Sequence, residues 1–200
     1  MYIPSHFRES DERVLAEFID AHSFGTLVTI ERGLPFASHV PFLHDREGHT
    51  LHAHLARANP QWQQIADNPE VLVIFQGPHG YVSPAWYAKP GVPTWNYTAV
   101  HVYGRARAVD DAAATGRHVE KLAARFERGS AAPWVPEYDP RMLAGIVGIE
   151  IAIREIQGKF KVSQNRSAED RTRVAARLEA RGTDESTALA KLVAGERSFS

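Results

Sequence analysis

The sequence predicts a mixed α+β fold: an antiparallel β-sheet or barrel decorated with helices. Three observations lead there. Six or more strand-like runs follow one another in hairpin order. Helical patterns lie between and after them. No strand–helix–strand rhythm of a parallel, doubly wound sheet is present, and neither GxGxxG after a strand nor GxxxxGK[ST] occurs.

Ser10 is placed to cap a helix over residues 11–22, with Asp11 and Glu12 near its positive end. Val14, Leu15, Phe18 and Ile19 recur there at helical spacing. The period then shortens. Residues 25–31 and 34–42 read as two strands across the turn Glu31-Arg32-Gly33. A turn over 45–48 leads to a third strand, 50–55. Pro60 opens a short helix, 61–67, with Asn59 as its cap. Residues 71–76 form an apolar, β-branched strand that Gly77-Pro78-His79-Gly80 should break. Pro84, Pro90, Gly91 and Pro93 then forbid a regular element, and Trp86, Tyr87, Trp95 and Tyr97 crowd that loop.

Residues 99–109 alternate as a strand, with Val100, Val102, Gly104, Ala106 and Ala108 on one face and His101, Tyr103, Arg105 and Arg107 on the other. A helix over 111–128, a strand over 146–156 and two helices over 167–181 and 184–194 complete the reading. Absent repeats or a low-complexity linker, one main domain is expected over residues 1–165, with a helical appendage over 166–200.

The chain has 200 residues, enough to bury a core without disulfides or a structural metal. It has no cysteine, which excludes disulfide scaffolds, thiolate zinc sites, iron–sulfur clusters and a Cys nucleophile. That usage suits a reducing cytoplasm. The formal net charge of -1 argues against a surface that binds polyanions as a whole. Charged residues at the start leave no signal-peptide core, and the longest apolar stretch, 143–153, contains Glu150, so no membrane span is expected.

Three segments carry candidate chemistry. In LHAHLARANPQW, His52 and His54 share a strand face, Arg57 follows at the strand end, and Asn59-Pro60 starts a helix. Arg beside a helix N-terminus suits a phosphate, although a surface Arg and two half-buried histidines in an ordinary turn explain the pattern too. In VPTWNYTAVHVYG, Thr94, Asn96, Tyr97 and His101 offer neutral hydrogen-bonding groups and Trp95 a flat face. That set fits a planar heteroaromatic ring, or a structural loop plugging a barrel end. In GKFKVSQNRS, Lys159 and Lys161 alternate onto one face, Ser163 and Gln164 continue the strand, and Asn165-Arg166 ends it. A phosphate contact and a solvated basic edge both account for it.

Other chemistries find less. His49, His52 and His54 cluster, with His39 and His101 able to join, but no HExxH or carboxylate triad is present and no metal is expected. There is no GxSxG elbow. Residues 158–181 hold seven Lys/Arg against three acids, and the break at Arg181-Gly182-Thr183 imitates a helix-turn-helix. Its second helix begins with two acids, Asp184 and Glu185, which would repel phosphate.

Together MYIPSHF, HLARANPQW, FQGPHGYVSPAWY, VPTWNYTAVHVYG and GKFKVSQNRS resemble the PaiB-like FMN-binding proteins, described as negative transcriptional regulators. The resemblance spans about Met1–Arg181; Val162 stands where leucine is expected. It implies an antiparallel split β-barrel of the flavin-reductase and pyridoxamine-phosphate-oxidase type, FMN as cofactor, and a homodimer with FMN at the subunit interface. Carried onto this chain, Ser38 and His39 lie near the ring and His54, Arg57 and Asn59 on the phosphate side. Thr94, Asn96, Tyr97 and His101 line the ring or the partner edge, and Lys161 and Gln164 close the site. It implies regulation of transcription, direct or through a partner. The alternative is an FMN-dependent oxidoreductase, with a nicotinamide donor and no DNA contact. A haem-degrading version lacks its C-terminal axial ligand, since no histidine follows His118. A barrel that has lost its ligand is the third reading.

Overall fold

A computed structural model describes every residue except Ser198 and Ser200. In chain order the elements are β1 (Arg8–Glu9), α1 (Glu12–Ala21), β2 (Phe24–Glu31), β3 (Leu34–Pro41), β4 (Leu43–Asp45), β5 (Thr50–Ala56), α2 (Gln61–Asp67) and β6 (Glu70–Val82). Then come β7 (Thr94–Val109), α3 (Ala112–Phe126), β8 (Ile146–Lys161), α4 (Ala168–Glu179) and α5 (Asp184–Ala194). Two compact units are present. One comprises Met1–His22, Phe75–His101 and Gln157–Ser200; the other comprises Ser23–Ile74 and Val102–Ile156. The chain passes from one to the other between α1 and β2 and within β6, β7 and β8.

The strand order is β3-β2-β6-β7-β8-β5-β4, with antiparallel registers in which Thr26 faces His39 and Ile74, and His54 faces Gly148. The β2–β3 hairpin turns where expected. Arg32 and Gly33 both take positive φ, 50° and 80°, which matches the twist of the flanking strands. Inward positions of β2, β5, β6, β7 and β8 supply a core of Leu27, Leu51, Leu55, Val73, Val102 and Ile149.

Helix α2 closes one face of this hairpin through buried amides. Gln61 Nε2 donates to the Leu27 and Phe36 carbonyls and to Thr29 Oγ1, and Thr29 Oγ1 donates to Gln64 Oε1 at 2.8 Å. Buried polar groups must be satisfied in this way. Asn59 Oδ1 accepts from Gln61 N at 3.0 Å, but Pro60 occupies the cap position, one residue later than expected.

In the first unit, α1 buries Val14, Leu15, Phe18 and Ile19, as its spacing predicts. Its cap is Asp11 rather than Ser10: the carboxylate accepts from Arg13 N and Val14 N, contacts worth about 1 kcal/mol. Residues 77–80 do not break the strand; β6 runs through them. Gly77 is there for close approach, since a Cβ at this position would lie 2.6 Å from both Phe18 Cε2 and Thr98 Oγ1. At the far end of β8 the expectation reverses. The strand stops at Lys161, and Ser163 sits at φ 66°, so Ser163 and Gln164 do not continue it.

The helices beyond residue 165 share a buried cluster with Val82 and Tyr87, through Val174, Leu178, Leu189, Ala190 and Val193. Arg166 lies 4.2 Å from the Tyr87 ring centre and Arg181 4.8 Å from that of Trp86. The aromatic loop and the basic helices therefore hold each other. No helix among the described residues is long and apolar enough to cross a membrane.

Candidate functional site

In the second unit, the hairpin and the β5–α2 connection bring Ser38 and Asn59 together. Asn59 Nδ2 donates to Ser38 Oγ at 2.9 Å. His39 Nδ1 and Thr26 Oγ1 are 3.0 Å apart on the exposed side of the same hairpin. Arg57 stands at the strand end as expected, but its guanidinium is engaged. Nε donates to the Ala144 carbonyl, Nη1 and Nη2 to the Asp110 carboxylate, and Nη2 also to the Ile146 carbonyl. That uses four of its five N–H donors. His54 faces α3, its ring centre 6.0 Å from that of His118. Burial lowers its pKa, so its imidazole is neutral near pH 7.

In the first unit, the start of β7 and the end of β8 bring Thr94, Asn96 and Tyr97 beside Lys159, Lys161 and Ser163. Lys161 donates to Thr94 Oγ1, and Asn96 Nδ2 donates to Ser163 Oγ at 2.8 Å. The positive φ of Ser163 turns the chain so that its hydroxyl meets the buried Asn96 amide. Lys159 lies 5.4 Å from the Tyr97 ring centre, and its ammonium donates to the Tyr2 carbonyl. Burial first, then Lys159 and Arg166, lowers the Lys161 pKa. Among the described residues no carboxylate pairs with Lys159, Lys161 or Arg166, so this end of the unit carries uncompensated positive charge. Gln164 folds back to donate to the Phe160 carbonyl and accepts from Val162 N. His101 is pushed toward neutrality by burial and by the chain's terminal ammonium.

Trp95 is 55% exposed and stacks on His79 with ring centres 6.4 Å apart. Sequence reading missed Tyr2 and Phe7, which lie over Lys159 and Lys161. Only their place in the MYIPSHF segment hinted at a role. The expected cluster of His49, His52 and His54 resolves differently: His52 and His54 pair with His118 of α3, and no group of three ligating side chains among the described residues could hold a metal ion.

The donor set fits an anionic, planar group. It joins uncompensated cations, neutral amides and hydroxyls, and a Tyr ring.

The chain matches a family model described as "Putative FMN-binding domain" over residues 1–155. "Protease synthase and sporulation protein PAI 2" of Bacillus subtilis (strain 168) is 37% identical over 190 residues, covering 90% of this chain and 89% of that protein. The fold is similar to that of the flavocytochrome Anf3 from Azotobacter vinelandii, with TM-score 0.64 and 16% identity over 80% of this chain and 72% of the other. It is also similar to the FAD and heme binding protein from Mycobacterium smegmatis, with TM-score 0.63 and 19% identity over 78% and 73%. These structures share the antiparallel α+β fold class expected from the sequence. The family match over most of the chain, joined to the PAI 2 likeness, places this chain in the PaiB-type family of FMN-binding proteins.

Proposed function

We propose that the protein is an FMN-dependent negative regulator of transcription that binds the flavin as a homodimer in the cytoplasm. The uncompensated Lys159–Lys161–Arg166 cluster beside Thr94, Asn96 and Tyr97 carries the reading. Lys161, Gln164 and Thr94 would meet the charged end of the cofactor, and Asn96, Tyr97 and His101 its ring edge. Ser38, His39, His54 and Asn59 form the second set of contacts that the family resemblance assigns. The resemblance assigns Arg57 to that set too, but its guanidinium is held by Asp110 and the Ala144 and Ile146 carbonyls, so its role here is to tie strand ends together. FMN, when bound, supplies a two-electron redox centre.

The second copy has a surface to meet. Phe24 and Ile30 of β2 are exposed, and in register they neighbour Pro41 and Pro35 of β3, with Val28 and Ala37 between. That gives the outer hairpin face an apolar character fit for burial.

One observation favours a second reading, an FMN-dependent oxidoreductase with a nicotinamide donor and no DNA contact. Much of the basic charge of α4 and the turn after it is spent inside the molecule. Arg181 covers the Trp86 ring, Arg171 donates to the Val193 carbonyl, and Arg173 faces Glu169. The N-terminal turn of α5 presents Asp184 and Glu185.

Reconstitution with FMN, followed by absorbance and reversed-phase analysis of ligand released by heat, tests the core reading. Lys161→Gln should weaken FMN binding about tenfold, ~1.4 kcal/mol. Equal affinity in the variant removes the Lys161 assignment, and absence of any flavin binding removes the function. A gel shift with promoter DNA at low salt and bleaching by NADH or NADPH then separate regulator from oxidoreductase.

A further inference from the structure

A cavity of about 380 Å³ lies in the second unit between α3 and strands β4, β5 and β8. It shares no lining residue with the FMN set above. Its apolar lining comes from Leu43, Ala53, Val109 and Ile149. The volume suits a compact small molecule, and the mix of apolar walls with a few polar groups is that of a ligand site.

His44 of β4 also lines the cavity, beside other polar groups. Glu150 is held by both Nε and Nη2 of Arg107, at 3.0 and 2.7 Å. Asp45 accepts from Gly48 N at 3.0 Å. His52 Nε2 meets Thr50 Oγ1 at 3.0 Å, and Thr115 Oγ1 donates to the Val109 carbonyl at 3.2 Å. Both carboxylates thus have their own partners. Three groups remain open. His118 Nε2 is buried with no hydrogen-bond partner. Arg117 and Lys121, four residues apart on α3, make no hydrogen bond or ion pair among the described residues, although Lys121 lies within the electrostatic reach of Asp45. A buried ring nitrogen without a partner is costly to leave unmet.

The imidazole is neutral, because burial, then His52, His54 and Lys121, pushes His118 down to about 4. The rim therefore offers two cations, the interior offers a neutral imidazole nitrogen, and the walls are apolar.

We propose that this cavity is a second ligand site, taking a small aromatic carboxylate whose anionic group meets Arg117 and Lys121 and whose ring packs on the Leu43–Ile149 lining beside His118. A free phosphate would leave the apolar lining uncovered. The site stands on its own geometry, so it survives or fails separately from the flavin reading.

Benzoate, with neutral benzamide as control, tests it on the full chain. Imidazole resonances of His52 and His118 are followed by long-range ¹H–¹⁵N spectroscopy at pH 7. Saturable shifts with benzoate, weaker by about tenfold with benzamide, are expected. The double variant Arg117→Gln, Lys121→Gln, on the exposed helix surface, should weaken benzoate by a similar factor and leave FMN binding unchanged. Ala114→Leu, which fills the cavity from α3, should abolish the shifts. Shifts that do not saturate, that benzamide reproduces, or that survive in both variants overturn the proposal.

Discussion

Arg57 and Asp110 face each other in parallel, Nη1 to Oδ2 at 3.2 Å and Nη2 to Oδ1 at 2.6 Å. The same guanidinium also reaches the carbonyls of Ala144 and Ile146. One side chain thereby ties the end of β5 to the approach to α3 and to the start of β8. The pair holds Asp110 below the ordinary carboxylate range, chiefly through the hydrogen bond from Arg57. Its contribution is present above the ordinary pKa of 3.8 and is lost as pH falls through the lowered value. Arg57→Lys cannot reproduce the fork. It should lower the thermal midpoint while leaving the flavin content of purified protein close to that of the parent. A full loss of flavin from a still-folded R57K protein would return Arg57 to the phosphate.

Gly77→Ala tests why β6 runs through a segment that reads as a breaker. The added methyl would sit 2.6 Å from Phe18 and Thr98. Forcing it in should cost about 1–3 kcal/mol, measured by urea denaturation. An unchanged midpoint would show that α1 can step aside.

Gln61→Leu removes the amide that serves Leu27, Thr29 and Phe36 at once. The site is fully buried. The apolar replacement leaves those acceptors without this donor, at an expected cost of about 1–3 kcal/mol. A gain in stability would mean that packing outweighs the network.

His118 gives a pH signature. Its pKa falls from 6.5 to about 4 in the folded chain, so the unfolded chain binds the extra proton between those values. Stability from this group is complete above pH 6.5 and declines as pH drops toward 4. His52, His54 and Lys121 face the ring and oppose its protonation, while Asp45 and Glu150 line the same cavity. Denaturation midpoints taken across that window should fall in the parent and fall less steeply in His118→Gln. Parallel slopes in the two proteins would place the effect elsewhere.

Local patterns read well wherever the backbone answers to its own neighbours. The spacing of Val14, Leu15, Phe18 and Ile19 located α1, the Arg32-Gly33 pair located the hairpin, and helices α2 and α5 fall on the predicted residues. The alternation of residues 100–107 gave the buried face of β7. Errors arose where distant groups decide. Gly77 and Pro78 look like a break until Phe18 and Thr98 show that the strand needs a vacancy there. Ser163 reads as strand until its hydroxyl meets Asn96. Arg57 reads as a free cation until Asp110, fifty-three residues on, claims it.

The sequence by itself determined the class of the fold, its family and the residue types able to hold a phosphorylated ring, because those depend on periodicity and on long contiguous motifs. Only the tertiary structure decided which of those side chains are already bound within the protein. Hydrogen-bond partners and charge compensation come from residues far apart in the chain, and folding alone brings them within reach. That is why Lys161 keeps an uncompensated charge while Arg57 does not, and why a cavity under α3 left no mark in the order of the residues.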